Sequence, residues 1–328
     1  MQSDYEKKLT EEINRYKDVA DIHQLPDIFH YWSNKYLAPM IRSYGFYSIN
    51  EIYVHYMQEA CQRLYGKTMR FVSIGAGNCE LEVDLAMRLS SSGVKNFVFE
   101  CLDINPDMLQ RGQQLATEKK VENCMEFLAV DLNYWNVQTP YDVIIAAQCL
   151  HHFVELETIF DKIYQYLAPT GYFITHDMIG RNGHMRWPET LELVNQFWAE
   201  LPDRYKFNHQ LQRHEPQFMD WDCSVEGFEG IRAQDILPLL NQKFHFEFFL
   251  YWGGVIDIFV DRSFGHNFDA KSQHDRNFID KVQRVNFEKI LSGVVKPTQM
   301  IAAMSKVNIS RKLFWYGLTP DFCTRKPN

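Results

Sequence analysis

The sequence reads Ile74-Gly75-Ala76-Gly77-Asn78-Cys79-Glu80 directly after a short apolar run. Glycines at such a turn let the backbone approach a ligand closely, and a helix starting just beyond offers unpaired N–H groups. A second apolar run closes on Asp103, 26 residues after Gly77, where a carboxylate can accept both hydroxyl protons of a ribose. A third run ends in Asp131-Leu132. His151 and His152 follow a fourth, and a fifth closes on His176-Asp177. Histidine is the side chain most suited to taking a proton near neutral pH, so the pattern combines a nucleoside-binding edge with candidate proton acceptors.

For these residues to meet, the five runs must be strands of one sheet. They fall at 70–74, 97–102, 125–130, 141–147 and 171–176, with helical stretches between them. Alternating strand and helix implies a doubly wound, mostly parallel sheet with helices on both faces, and seven strands are expected once the later runs at 244–252 and 298–305 are added. Residues 1–66 form a helical N-terminal cap, with Leu9, Ile13, Tyr16 and Ala20 at helical spacing and Pro26 and Pro39 as interruptions. Ser48-Ile49-Asn50-Glu51 has the form of a capping box, starting a helix that should stop at Gly66. The cofactor-binding core then spans 67–180. An irregular, aromatic stretch at 181–232 covers the substrate, and 233–310 completes the core with a helix at 233–242 and a helical insertion at 270–292. Residues 311–328 are a tail.

Composition narrows the partners. The chain has 328 residues, of which 34 are basic and 42 acidic, and a net charge of -8 opposes binding to a phosphate backbone, so no nucleic-acid partner is expected. No apolar run is long enough to span a membrane and the start lacks a signal peptide's apolar core, which makes the cytoplasm the expected compartment. The seven cysteines are scattered without a CxxC pair, which reads as free thiols. Adjacent histidines do not readily face one ion in regular structure, so no metal site is expected. Whether copies of the chain associate is not readable from these features.

The stretches FVSIGAGNCELEVDLA, FECLDINPDML, FLAVDLN, YDVIIAAQCLHHF and LAPTGYFITHDMIG, in that order over residues 68–180, resemble the class I S-adenosylmethionine-dependent methyltransferases. The resemblance implies a Rossmann-like fold and S-adenosylmethionine as cofactor. It implies that Gly75 and Gly77 flank the methionine part of the cofactor, that Asp103 binds the ribose, and that Asp131 and Leu132 meet the adenine between Ile104 and Met108. Gln148 would lie near the methionine moiety. Two departures stand out: Ser73 where the family often has an acid, and Cys79 where it often has a third glycine. Glu80 is the expected substitute for the missing charge, with Ser73 working through water as the other option.

The stretch 180–232 resembles a bacterial branch of these enzymes associated with glycan and specialised-metabolite pathways, which implies methyl transfer to a hydroxyl or amine of a small molecule. His152 is the first choice for the base, with His151 and His176 behind it. Trp187, Trp221, Phe228 and Tyr251 are candidates to stack on the acceptor, and Glu226 and Arg232 to orient it. Two other readings stay open at this point. One is a nicotinamide-dependent oxidoreductase, which Glu80 disfavours because its charge opposes a pyrophosphate at the helix start. The other is a non-catalytic binding protein that kept the fold.

Overall fold

A computed structural model describes residues 25–63, 67–225, 227–308 and 310–325. The expected helix through Leu9 to Ala20, the stop at Gly66 and the candidate Glu226 lie outside them.

Among the described residues ten strands form: β1 (Met69–Ile74), β2 (Phe97–Asp103), β3 (Met125–Ala129), β4 (Tyr141–Ala147), β5 (Leu167–Met178), β6 (Phe207–Asn208), β7 (Arg213–His214), β8 (His245–Trp252), β9 (Gln299–Ser305) and β10 (Leu313–Phe314). Eight of them make one sheet in the order β10-β8-β9-β5-β4-β1-β2-β3, and β6 and β7 pair as a separate ribbon. Strands β1 to β5 are parallel, while β9 runs antiparallel to both β5 and β8. The central strands read as near-continuous apolar runs because helices cover both faces, and Phe71, Val72 and Ile74 of β1 and Val143, Ile144 and Ile145 of β4 are fully buried. The sheet has one strand more than expected: β10 pairs with β8 at the edge through only two residues, too few to leave a periodic signal.

The functional consequence lies in the strand order. The chain winds outward from β1 through β2 to β3, then returns to place β4 on the other side of β1. The crossovers therefore diverge between β1 and β4, leaving a crevice beyond the carboxyl ends of those strands. Asn105 reinforces this edge: its side chain accepts hydrogen bonds from the N–H groups of Asp107 and Met108 and so starts helix Pro106–Lys119 immediately after β2.

Above that edge sit the N-terminal helices. The capping box forms in part, with the Glu51 N–H donating to Ser48 Oγ at 3.3 Å and the Glu51 carboxylate accepting from the Tyr47 N–H rather than from that of Ser48. Pro39 does not interrupt the helix before it. Helix Asp27–Trp32 runs on through a π turn, Ser33–Leu37, into helix Ala38–Arg42. The wider turn just before Pro39 absorbs both the ring's bulk and its missing donor. This helical run is bound to helix Gln273–Leu291 from the far end of the chain. Tyr31, Lys35 and Tyr36 all donate to the Asp280 carboxylate, and Trp32 Nε1 donates to Gln283 Oε1 at 2.7 Å.

Candidate active site

The crevice opens into a cavity of about 1390 Å³. Its floor is made by the residues that end β1, β2, β4 and β5. Its walls above include Phe29, Trp32 and Tyr53 from the N-terminal helices and Arg186, Phe218 and Trp221 from the irregular stretch after β5.

At the floor, Gly75 and Gly77 take left-handed conformations with φ of +64° and +54°. A Cβ on Gly75 would stand 2.6 Å from Cys149 Cβ, so the glycine is required by packing against the turn after β4 as well as by its backbone angle. The Gly77 N–H donates to Asp103 Oδ2 at 2.8 Å and the Asn105 N–H to Oδ1 at 2.8 Å, which ties the glycine turn to the end of β2. Burial raises the Asp103 pKa, and these N–H groups oppose the rise. Cys79 adopts φ +57°, the left-handed angle that a third glycine would have taken.

Glu80, expected to supply the missing charge, lines the cavity together with a second acid, Glu82. Glu80 is exposed at the helix start, whereas Glu82 is buried and accepts a hydrogen bond from Ser73 Oγ at 2.6 Å. Burial pushes the Glu82 carboxyl up to about 7, with the Ser73 hydrogen bond acting against that rise. Its signal in the sequence was an acid placed among Val83, Leu85, Ala86 and Leu89, the buried stripe of helix Glu80–Ser91.

The remaining cofactor candidates, Ile104, Met108, Asp131, Leu132 and Gln148, all line the same cavity. Asp131 also accepts from the Asn133 N–H at 2.8 Å, which makes it the cap of a short turn. Gln148 sits at φ +54° and donates its N–H to the His176 carbonyl at 2.7 Å.

The three candidate histidines have different surroundings. His151 is buried, and its Nδ1 donates to Asp177 Oδ1 at 2.5 Å, while Asp177 Oδ2 accepts from the N–H groups of Cys149 and Leu150. Burial favours the neutral ring, but Asp177 outweighs it and holds the His151 pKa above the ordinary value. His176 packs against Trp252 with ring centroids 5.3 Å apart, and burial lowers its pKa to about 4. It is a poor proton acceptor near neutrality. His152 is more open than His151, with its side chain 22% exposed against 4%.

Two residues that the sequence reading did not single out complete this group. Glu229 lies with Oε1 at 3.5 Å from His151 Nε2 and Oε2 at 3.5 Å from His152 Nε2. His184 Nε2 is 2.7 Å from Glu229 Oε1. The reason for expecting no metal site therefore fails: His151 and His152 occupy the short 3-10 turn Leu150–His152, where both imidazoles reach the same carboxylate.

Among the described acceptor candidates, Trp221 and Phe228 reach the cavity, and Trp187, Arg232 and Tyr251 do not. The Trp187 ring lies away from it, under the guanidinium groups of Arg181 and Arg325. Arg232 is engaged by Glu157 and Asp235 and donates to the Val154 carbonyl. Tyr251 is buried in β8, with its hydroxyl donating to the Trp315 carbonyl at 3.2 Å. Trp252, which was not among the candidates, also lines the cavity.

The strand order, the glycine turn and the half-buried acid at the end of β2 define a nucleoside-binding α/β domain. Residues 66–228 match a family described as a methyltransferase domain, and the chain belongs to the class I S-adenosylmethionine-dependent methyltransferases, an enzyme with S-adenosylmethionine as cofactor. Similar folds among solved structures include the N-methyltransferase NodS from Bradyrhizobium japonicum WM9 in complex with S-adenosylhomocysteine, at 11% identity over 90% of this chain and 97% of that one with a TM-score of 0.43. A second is an S-adenosylmethionine-dependent methyltransferase from Geobacter sulfurreducens, also with S-adenosylhomocysteine, at 10% identity, 77% and 90% coverage and a TM-score of 0.42. A third is the geranyl diphosphate C-methyltransferase from Streptomyces coelicolor A3(2), at 10% identity, 76% and 77% coverage and a TM-score of 0.41. No curated protein matches the sequence. Among the described residues no helix is long and apolar enough to cross a membrane.

Proposed function

We propose that the enzyme methylates a hydroxyl or amine of a small molecule held in the cavity between the glycine turn and the His152–Glu229 pair. The observation that carries this reading is that one cavity is lined by both groups. When bound, S-adenosylmethionine supplies a methyl group on a sulfonium. Gly75 and Gly77 give its methionine portion backbone to lie against, and Glu82, held by Ser73, faces its ammonium group. Asp103 takes the ribose hydroxyls, and Ile104, Met108 and Leu132 border the adenine beside Asp131. The acidic groups at the helix start, Glu80 and Glu82, make the same turn unfavourable for the pyrophosphate of a nicotinamide cofactor.

At the acceptor end, Phe218, Trp221, Phe228 and Trp252 offer ring surface to the face of a sugar or an aromatic compound. His152 and Glu229 meet the acceptor's O–H or N–H and lower the cost of losing its proton. Much of the rate in such a transfer comes from holding nucleophile and methyl carbon in line, so the roof of the cavity positions the acceptor and excludes water.

The test is the release of S-adenosylhomocysteine from S-adenosylmethionine with panels of hydroxyl- and amine-bearing sugars and aromatic compounds. A positive acceptor should be turned over about a hundredfold more slowly by His152→Ala, with S-adenosylhomocysteine affinity nearly unchanged. Equal turnover in the variant would remove His152 from the chemistry. Turnover of none of the acceptors by the wild-type chain would overturn the acceptor class.

A further inference from the structure

We propose that His151, His152 and Glu229 form a binding site for one divalent transition-metal cation, open toward the acceptor end of the cavity. The proposal concerns the cluster itself, and only the cation's role in methyl transfer rests on the reading above.

The spacing carries the case. Three ligand atoms, one from each residue, lie within 4.8 Å of one another. Both His Nε2 to Glu229 oxygen distances are 3.5 Å, longer than an ordinary N–H···O hydrogen bond of about 2.7–3.2 Å. Ligands roughly 2.0–2.2 Å from a tetrahedral cation stand about 3.4 Å from one another, so the separation that is poor for direct bonding is the one a shared cation produces.

The residues behind these three are arranged as supports. Asp177, fully buried, holds His151 by Nδ1 and leaves Nε2 directed at Glu229. A carboxylate on the far nitrogen is the usual device for orienting a metal-binding imidazole. His184, 2.7 Å from Glu229 Oε1, holds the carboxylate by the oxygen that faces His151 and leaves Oε2 toward His152. The adjoining residue must be small for this to happen: a Cβ on Gly230, at φ +66°, would stand 2.9 Å from the His184 ring. Two acidic side chains in a largely buried position also favour a positive charge among them.

Two imidazoles and one carboxylate suit zinc, iron, cobalt or nickel better than magnesium or calcium, which prefer oxygen ligands. Three protein ligands leave a coordination position open, and His152 and Glu229 are the partly exposed members of the set, at 22% and 26%. An acceptor oxygen bound there would have its O–H acidified and would release its proton to solvent water. Its oxygen would then form the new C–O bond as the methyl–sulfur bond breaks with its electron pair left on sulfur. In that arrangement His152 serves as a ligand for the cation that activates the acceptor.

The full chain, stripped with a chelator, is titrated with Zn²⁺ by calorimetry and with Co²⁺ by visible absorption, without cofactor or acceptor. The expected result is one equivalent bound, with cobalt d–d bands of a nitrogen and oxygen site and no thiolate charge-transfer band. Glu229→Gln and His152→Asn should each weaken uptake by about a hundredfold or more while circular dichroism and S-adenosylhomocysteine binding stay as in the wild type. No saturable uptake by the wild type, or wild-type affinity in both variants, would overturn the proposal. Because uptake is read without turnover, its failure leaves methyl transfer standing, and a failure to find an acceptor leaves the metal site standing.

Discussion

Ser73 Oγ donates to Glu82 Oε1 at 2.6 Å, beneath the glycine turn, with Ser73 1% and Glu82 2% exposed. A buried acid is thus carried by the helix after the turn and held by a hydroxyl on the strand before it, with Glu82 and not Ser73 reaching the cavity.

The Glu82 carboxyl, raised by burial to about 7 from 4.5, makes stability depend on pH in a defined direction. Between those values the folded chain keeps a proton that the unfolded chain releases, so its contribution is fully present below pH 4.5 and is lost as pH rises through 7. Across that window the loss amounts to about 3 kcal/mol. Denaturant titrations of the wild type and Glu82→Gln at several pH values should show this slope only in the wild type. Affinity for S-adenosylhomocysteine should move the other way, rising toward pH 7, because the ligand's ammonium favours the ionised carboxylate. The variant should lose that trend as well.

Gly75→Ala should destabilise the fold for two separable reasons. The left-handed backbone costs about 1–2 kcal/mol for a residue with a Cβ, and the overlap with Cys149 adds roughly 1–3 kcal/mol more. Adding Cys149→Gly to Gly75→Ala removes the overlap and leaves the backbone term. A double-mutant cycle in denaturant should therefore give a coupling of about 1 kcal/mol or more. Additive effects would mean that the turn after β4 moves away freely.

Asp103→Ala should weaken S-adenosylhomocysteine binding by about ten- to a hundredfold, corresponding to loss of a charge-assisted bond of roughly 1.5–3 kcal/mol. Asp103→Asn, which keeps one oxygen acceptor but loses the charge, should fall between the two. Calorimetry finding the wild-type affinity in Asp103→Ala would take the residue out of the ribose site.

The residues that were legible in the sequence are those whose position follows from strand periodicity. Gly75, Asp103, Asp131 and Gln148 each follow or close an apolar run, and parallel strands of a doubly wound sheet bring such ends to one edge. The reading failed where a side chain's direction depends on irregular backbone. Trp187 and Trp221 are the same residue type in the same aromatic stretch, yet one lies beneath two arginines and the other reaches the cavity. Glu229 was invisible because nothing in the chain around it repeats. Its partner His151 comes from a turn far away in sequence, and the packing of helix Ala233–Lys243 against that turn, with Arg232 bonded to Val154 and Glu157, brings the two regions together.

The bonds from Tyr31, Lys35 and Tyr36 to Asp280, and from Trp32 to Gln283, impose an order on biosynthesis. A chain emerging from the ribosome has made β1 to β5 and the turn at Gly75 long before residue 280 exists. A nascent enzyme at that stage owns a floor for its cofactor but cannot yet fasten the helices that roof it. Contacts spanning so much of the chain form late and slowly, and the aromatic faces of Phe29 and Trp32 stay open to other molecules until they do. Chain length at the exit tunnel, more than local helix strength, therefore sets when the cavity first gains the wall that Phe29 and Trp32 supply.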